Sequence, residues 1–127
     1  MRTEIATLGE FGFIDRLTKD IKLTQPTSIK GVGDDAAIID NKDKRTLVAT
    51  DLLLEGIHFD LTYFPLKHLG YKAAVINFSD IYAMNGKPQQ ITVSLGISGR
   101  FSVEEIEEFY DGVKLACQVY NVDIVGG

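Results

Sequence analysis

Two long apolar stretches constrain the fold of this 127-residue chain more than any other feature. Residues 47–59, LVATDLLLEGIHF, are apolar at both sets of alternating positions, and residues 66–84 predict a helix that is apolar nearly all round. Elements of this kind are buried on more than one side. One sheet-and-helix layer of this size cannot cover both, so we expect a second layer from a partner subunit or a further domain.

Hydrophobic periodicity predicts the element order α-β-β-α-β-α-β and therefore an α+β fold, a mixed β-sheet of about four strands with helices packed on one face. Residues 24–30 and 41–44 are predicted as turns, the second joining two strands of a hairpin. A capping box, Ser102 with Glu105, predicts the start of the last helix. The predicted helices cover residues 10–21, 65–84 and 102–117, and the predicted strands cover residues 36–40, 46–59, 91–97 and 122–125.

Composition excludes several classes of protein. The formal charge of −5 argues against a nucleic-acid-binding module, and no apolar run is long enough to span a membrane. The single cysteine, Cys117, excludes an internal disulfide and is typical of a cytoplasmic protein. Without a cysteine or histidine cluster we expect no structural zinc. We expect one domain over residues 1–127.

Four acidic residues stand where carboxylates need an explanation. Asp34 and Asp35 follow a glycine loop in GVGDDAAIID, and no lysine or arginine follows them closely. Asp51 and Asp80 fall inside the two apolar stretches, where an unpaired charge is costly. A turn at Gly33-Asp34-Asp35 and solvent-facing aspartates are the structural alternatives. Oxygen ligands without histidine or cysteine favour Mg²⁺ or Mn²⁺, so the acids indicate a phosphate-binding site with several magnesium ions.

Three motifs, in order and with compatible spacing, resemble the N-terminal half of the thiamine-monophosphate kinase family, within the aminoimidazole-ribonucleotide synthetase superfamily. The resemblance runs from about Gly9 to Gly127. A nucleotide-binding Walker loop is absent from the sequence, in keeping with that family. The motifs are GVGDDAA at residues 31–37, TDxxxEGxHF at residues 50–59 and LGYKAAxxNxSDIxAMxxxP at residues 69–88.

The resemblance implies roles for individual residues. Metal ligands would be Asp35, Thr50, Asp51 and Asp80, with several Mg²⁺ ions bound. His58 would contact thiamine monophosphate. Tyr110 and Gly127 would lie at the nucleotide pocket, with helix core as the alternative for Tyr110. Asp34 would either cap the loop or bind metal.

The resemblance also implies an activity and an assembly. The family transfers the γ-phosphoryl group of ATP to thiamine monophosphate, giving thiamine diphosphate, and its N-terminal domains pair so that two sheets close into a barrel-like homodimer. Family members continue beyond the position of Gly127 into a second domain, which this chain does not contain. Two alternatives therefore stay open: another ATP-using enzyme of the superfamily, or an inactive dimerisation or metal-binding fragment.

Overall fold

The computed structural model describes residues 2–53 and 65–126 and confirms the α+β class. The chain divides into two compact units, an N-terminal unit, Met1–Val48, and a C-terminal unit, Ala49–Gly127. No helix in the described ranges is long and apolar enough to cross a membrane. In chain order the elements are α1 (Ile5–Thr18), β1 (Ser28–Lys30), β2 (Ala37–Asn41), β3 (Lys44–Val48), α2 (Leu66–Ala83), β4 (Gln90–Thr92), α3 (Val103–Tyr120) and β5 (Asp123–Gly126).

The N-terminal unit contains α1 and an antiparallel sheet in the order β1-β2-β3. The predicted hairpin is confirmed: β2 and β3 pair from Ala37 opposite Val48 to Asn41 opposite Lys44. Lys42, in the turn between them, has a left-handed backbone with φ 68°. Helix α1 begins earlier than predicted because a turn N-terminal to Gly9 joins it across a kink at that residue, where φ is 72°.

Two predictions for this unit are wrong, and strand pairing explains both. Residues 28–30, predicted as part of a turn, form β1 because they pair with β2, with Ser28 opposite Ile39. The strand predicted over residues 46–59 ends at Val48. Its partner β2 begins at Ala37, which lies opposite Val48, so the residues that follow have no strand beside them in the described part of the chain. Residues 54–64 lie outside the described ranges.

The C-terminal unit is built on the packing of α2 against α3. The predicted helix over residues 65–84 is confirmed, and it ends as expected at Asn85, whose left-handed backbone (φ 57°) suits the position after a helix. The capping box of α3 is also confirmed, with the Glu105 amide donating to Ser102 Oγ and the Ser102 amide donating to the Glu105 carboxylate. The buried core contains Leu69, Ala74, Phe78, Phe109, Val113, Ala116, Cys117 and Val122.

The helices cross at two glycines. A Cβ atom added to Gly70 would lie 1.9 Å from the Phe109 carbonyl oxygen, and one added to Gly112 would lie 1.9 Å from the Lys67 carbonyl oxygen. No side chain fits at either position, so the backbones of α2 and α3 touch there. This close approach sets the distance between the helices and allows Val113 to be fully buried.

Strands β4 and β5 flank α3 in sequence and pair in parallel, forming a β-α-β unit. Strand β4 is shorter than the predicted strand over residues 91–97 because the pairing ends at Thr92 opposite Gly126. The described strands therefore form a three-stranded sheet and a two-stranded sheet. The single sheet of about four strands is not confirmed, and the barrel-like dimer stays a prediction.

Candidate functional site

The glycine-rich loop, residues 31–35, connects β1 to β2. Gly33 has φ 127°, a backbone conformation that favours glycine, and both Asp34 and Asp35 are exposed. The next residue, Ala36, is 4% exposed and anchors the end of the loop. The loop thus presents two neighbouring carboxylates to solvent from a fixed junction with β2.

Protein groups contact both carboxylate oxygens of Asp34. The Lys30 ammonium donates to Oδ2, and the Asp35 backbone N–H donates to Oδ1 at 2.9 Å. The Lys30 hydrogen bond, the Asp35 N–H and the charge of Lys30 together hold the pKa of Asp34 below its ordinary value of 3.8. Of the two roles weighed for Asp34, these contacts favour capping of the loop over binding of metal.

Lys30 is a contact of the glycine-rich loop that the sequence pattern did not predict. No lysine or arginine closely follows the two aspartates, but Lys30 stands four residues before Asp34. A spacing of four indicates contact within a helix. Here the intervening residues form a loop, so the spacing by itself carried no such signal.

Asp35 has a different environment from Asp34. Its backbone N–H is taken by Asp34, but its carboxylate is exposed and receives no donor from the described part of the chain. An exposed carboxylate without a protein partner is available to a cation. Binding of metal by Asp35 stays a prediction.

Thr50 and Asp51 do not lie inside a buried strand. Both residues are exposed and follow the end of β3 at Val48. The expectation that Asp51 carries its charge in an apolar strand is therefore wrong, because the strand loses its partner before reaching it. Exposure leaves the hydroxyl and the carboxylate accessible to a ligand.

Asp80 lies on α2 and is half-buried. One turn before it, the Asn77 side chain donates to the Ala73 carbonyl at 2.8 Å. Asp80 lies in the helix, as predicted. Because the residue is half-buried, its charge is costly unless neighbouring groups or a cation compensate it.

The predicted metal ligands are divided between the two units: Asp35 lies in the first, and Thr50, Asp51 and Asp80 lie in the second. Within the described ranges, no group of three or more His, Cys, Asp or Glu side chains is placed to hold a metal ion. The predicted magnesium cluster thus stays a prediction. His58 and Gly127, assigned to substrate and nucleotide, lie outside the described residues.

Tyr110 lines a cavity of about 570 Å³ beside the N-terminal half of α3. The walls also include Ile97, Phe101, Ile106 and Lys114. The Tyr110 ring is half-buried, packs at the edge of the core and meets the Phe109 ring edge-on at a centroid distance of 6.0 Å. Tyr110 therefore supports the helix core with one side and borders an open cavity with the other.

Comparison with known proteins identifies the family to which the chain belongs. The chain belongs to the family of the AIR synthase related protein, N-terminal domain, whose model matches residues 33–127. The superfamily resemblance seen in the motifs is thereby confirmed.

Comparison with individual proteins gives a more specific similarity than the family model does. Thiamine-monophosphate kinase from Aquifex aeolicus (strain VF5) is 40% identical over 120 residues, covering 94% of this chain and 37% of the relative. The enzyme of the same name from Bacillus subtilis (strain 168) is 38% identical over 98 residues, covering 76% and 30%. The solved structure of AaThiL complexed with AMPPCP and TMP matches all of this chain and 39% of its own, with a TM-score of 0.84 and 38% identity. The chain spans about a third of the length of these proteins.

Proposed function

We propose that this chain forms the N-terminal part of an enzyme that transfers the γ-phosphoryl group of ATP to thiamine monophosphate, giving thiamine diphosphate. The observation that carries the proposal is the AaThiL match, since that structure binds AMPPCP and TMP and covers this whole chain at 38% identity. The order and spacing of the acidic motifs support the same activity.

The chemistry of such a transfer suits the residues that the chain offers. The acceptor is an ionised phosphate oxygen, which needs no strong general base, so catalysis consists mainly of positioning and of neutralising charge. Acidic ligands for metal are then more useful than a nucleophile. The chain supplies those acids and no Ser-His or Cys-His arrangement among its motifs.

The donor set fits magnesium. The exposed carboxylates of Asp35 and Asp51, the half-buried carboxylate of Asp80 and the hydroxyl of Thr50 are hard oxygen ligands. These four residues would hold several Mg²⁺ ions, which neutralise phosphate charge and align the two phosphates when bound. The protein's part is to fix the carboxylates and to bind the two substrates beside them.

We assign the substrate contacts by resemblance and by the cavity. Tyr110 borders the nucleotide pocket, for which a volume of about 570 Å³ is ample. Gly127 completes the nucleotide side, and His58 contacts thiamine monophosphate. The expected location is the cytoplasm.

The proposed assembly is a homodimer. Leu52 is 70% exposed, and α2 leaves Tyr82 at its surface with half its area exposed. Apolar side chains exposed in this way favour an interface with a second copy. Light scattering at several concentrations tests it: a stable dimer is expected, and a clean monomer or a ladder of aggregates would contradict it.

The decisive experiment measures calorimetric binding of Mg²⁺·AMPPCP alongside formation of thiamine diphosphate from ATP and thiamine monophosphate. We expect Asp51→Asn and Asp80→Asn to lower the affinity for Mg²⁺ on the order of 100-fold, and Asp34→Asn much less. Asp43→Asn, which removes an exposed acid in the hairpin turn, is the matched control and should change affinity less than about twofold.

The result also separates the alternatives. Binding of Mg²⁺·AMPPCP without turnover favours a metal- and nucleotide-binding module that is inactive by itself. Turnover with an acceptor other than thiamine monophosphate indicates another activity of the superfamily. Failure to bind either Mg²⁺ or nucleotide overturns the proposal.

A further inference from the structure

The two aspartates of the glycine-rich loop differ in what they contact, and the difference assigns them different tasks. Lys30, the last residue of β1, donates to Asp34 Oδ2, while the backbone N–H of Asp35 donates to Asp34 Oδ1 at 2.9 Å. The Asp34 carboxylate therefore links the end of a strand to the peptide that carries Asp35. Asp35 itself presents an exposed carboxylate without a donor in the described part of the chain.

This link acts on a loop that is otherwise weakly constrained. Gly33 adopts φ 127° and a Cβ at this position would meet nothing within 4 Å, so packing does not hold the loop there. At its two ends, Gly31 lies against Leu23 and Ala36 is buried. Between these anchors, the contacts of Asp34 fix the orientation of the Asp35 peptide and hence the direction in which its side chain leaves the backbone.

We propose that Asp34 and Lys30 are positioning residues, which hold the loop so that Asp35 alone presents its carboxylate to a divalent cation. The inference rests on the proposed function, in which Asp35 binds metal. Asp34 acts through its Oδ1 as an acceptor for the Asp35 N–H, and Lys30 fixes and neutralises its other oxygen.

Charge complicates any single substitution at this pair. Replacing Lys30 alone leaves Asp34 uncompensated beside Asp35, which by charge alone strengthens cation binding. Replacing Asp34 alone leaves an uncompensated ammonium, which weakens it. Double variants that remove both charges keep the local charge constant and isolate the hydrogen bond.

The experiment compares two double variants, using Mn²⁺ as the probe ion and its paramagnetic resonance as the readout. Lys30→Met/Asp34→Asn keeps an oxygen that accepts from the Asp35 N–H, and Lys30→Met/Asp34→Ala removes it. We expect the first to bind Mn²⁺ within about twofold of the parent and the second about tenfold more weakly. Asp43→Asn/Lys44→Met removes the same charges at the β2–β3 hairpin and is the control.

Amide hydrogen exchange at Asp35 gives a readout that does not depend on metal. Exchange should be roughly fivefold faster in the alanine double variant than in the asparagine one, because only the former loses the acceptor. Equal exchange in the two variants contradicts the positioning role.

The outcomes distinguish this inference from the function on which it rests. If Lys30→Met/Asp34→Asn loses as much affinity as Asp35→Asn, Asp34 is itself a ligand and the inference is wrong. If Lys30→Met/Asp34→Ala matches the parent, Asp34 positions nothing. If Asp35→Asn binds Mn²⁺ as the parent does, the proposed metal role of Asp35 fails, and the positioning role fails with it.

Discussion

The two compact units differ in how many apolar side chains they bury. In the C-terminal unit, α2 and α3 enclose eight of the nine buried apolar residues found in the described ranges. In the N-terminal unit, Ala36 is the remaining one, and α1 exposes large apolar side chains, among them Phe11 at 84% and Leu17 at 64%. One unit has a core of its own. The other has a sheet, a helix and very little interior.

This difference places stability and candidate chemistry in partly separate regions. The glycine-rich loop with Asp35 belongs to the unit with little core, whereas Asp80 belongs to a helix of the well-packed unit. We infer that substitutions in the α2–α3 core alter folding, while substitutions around the loop alter ligand binding with little effect on folding. Variants in the two units test this contrast or the packing of the α2–α3 core on which it rests.

The strongest test replaces one phenylalanine in each unit. Phe78 is 3% exposed in the α2–α3 core, so Phe78→Ala should lower the free energy of unfolding by about 3–5 kcal/mol through lost burial and a cavity. Phe11→Ala removes the same atoms from an exposed site and should change it by less than about 0.5 kcal/mol. Urea unfolding followed by circular dichroism measures both. Similar losses would show that the exposed face of α1 is covered in solution.

The glycine crossing gives the next largest effect. Gly112→Ala puts a methyl group 1.9 Å from the Lys67 carbonyl oxygen, which forces α2 and α3 apart and should cost about 3 kcal/mol. Gly99→Ala has open space around its Cβ and serves as the control. Thermal unfolding compares them. If Gly112→Ala and Gly99→Ala unfold at the same temperature, the backbones of α2 and α3 are not in contact.

The sequence predicted best the elements that local signals determine. The apolar periodicity of α2, its end at Asn85 and the capping box at Ser102 each lie within one element, and the structure confirms them. Strand bounds were harder to predict, because they depend on pairing between strands. Strand β1 forms by pairing with β2, and β3 ends opposite the first residue of β2. Asp51 was expected inside a buried strand, but β3 ends before it because β2 provides no further partner, and Asp51 is exposed.

The candidate site was predictable in residue type more than in arrangement. Acidic residues in motif order identified the family, which the comparisons confirm. The pairing of Lys30 with Asp34 depends on how the loop folds back on β1, which its spacing could not show. Likewise, glycine within a helix usually signals weak helix propensity, and only the packed structure reveals Gly70 and Gly112 as points of contact.

A smaller effect is expected at the helix cap. Ser102→Ala removes the acceptor for the Glu105 amide and should destabilise the C-terminal unit by about 1 kcal/mol. Ser94→Ala, at an exposed position outside any element, is the matched control. Ser102→Thr retains a hydroxyl acceptor and should recover most of the loss. A Ser102→Ala variant as stable as Ser94→Ala would mean that the cap contributes nothing in solution.

The smallest effect concerns pH and the packing of the C-terminal unit. Burial in the α2–α3 core, with a lesser contribution from the charge of Asp123, raises the pKa of the Cys117 thiol above its ordinary value of 9.0. The folded state then keeps a proton that the unfolded state releases. The stability that the raised pKa contributes is fully present below the pKa of the unfolded state. It is lost as pH rises through the pKa of the folded state.

We therefore expect the stability of the C-terminal unit to fall as pH rises above the ordinary thiol pKa of 9.0, with a shallower slope in Cys117→Ala. Urea unfolding at a series of pH values measures the slope, which is independent of the constant loss caused by the smaller side chain. Labelling of the thiol by a disulfide reagent supplies a second measure, since burial should make it slow in the native state and fast in urea. Equal slopes for the parent and Cys117→Ala, together with rapid native labelling, would show that Cys117 is accessible and that the helix core is looser than the described packing.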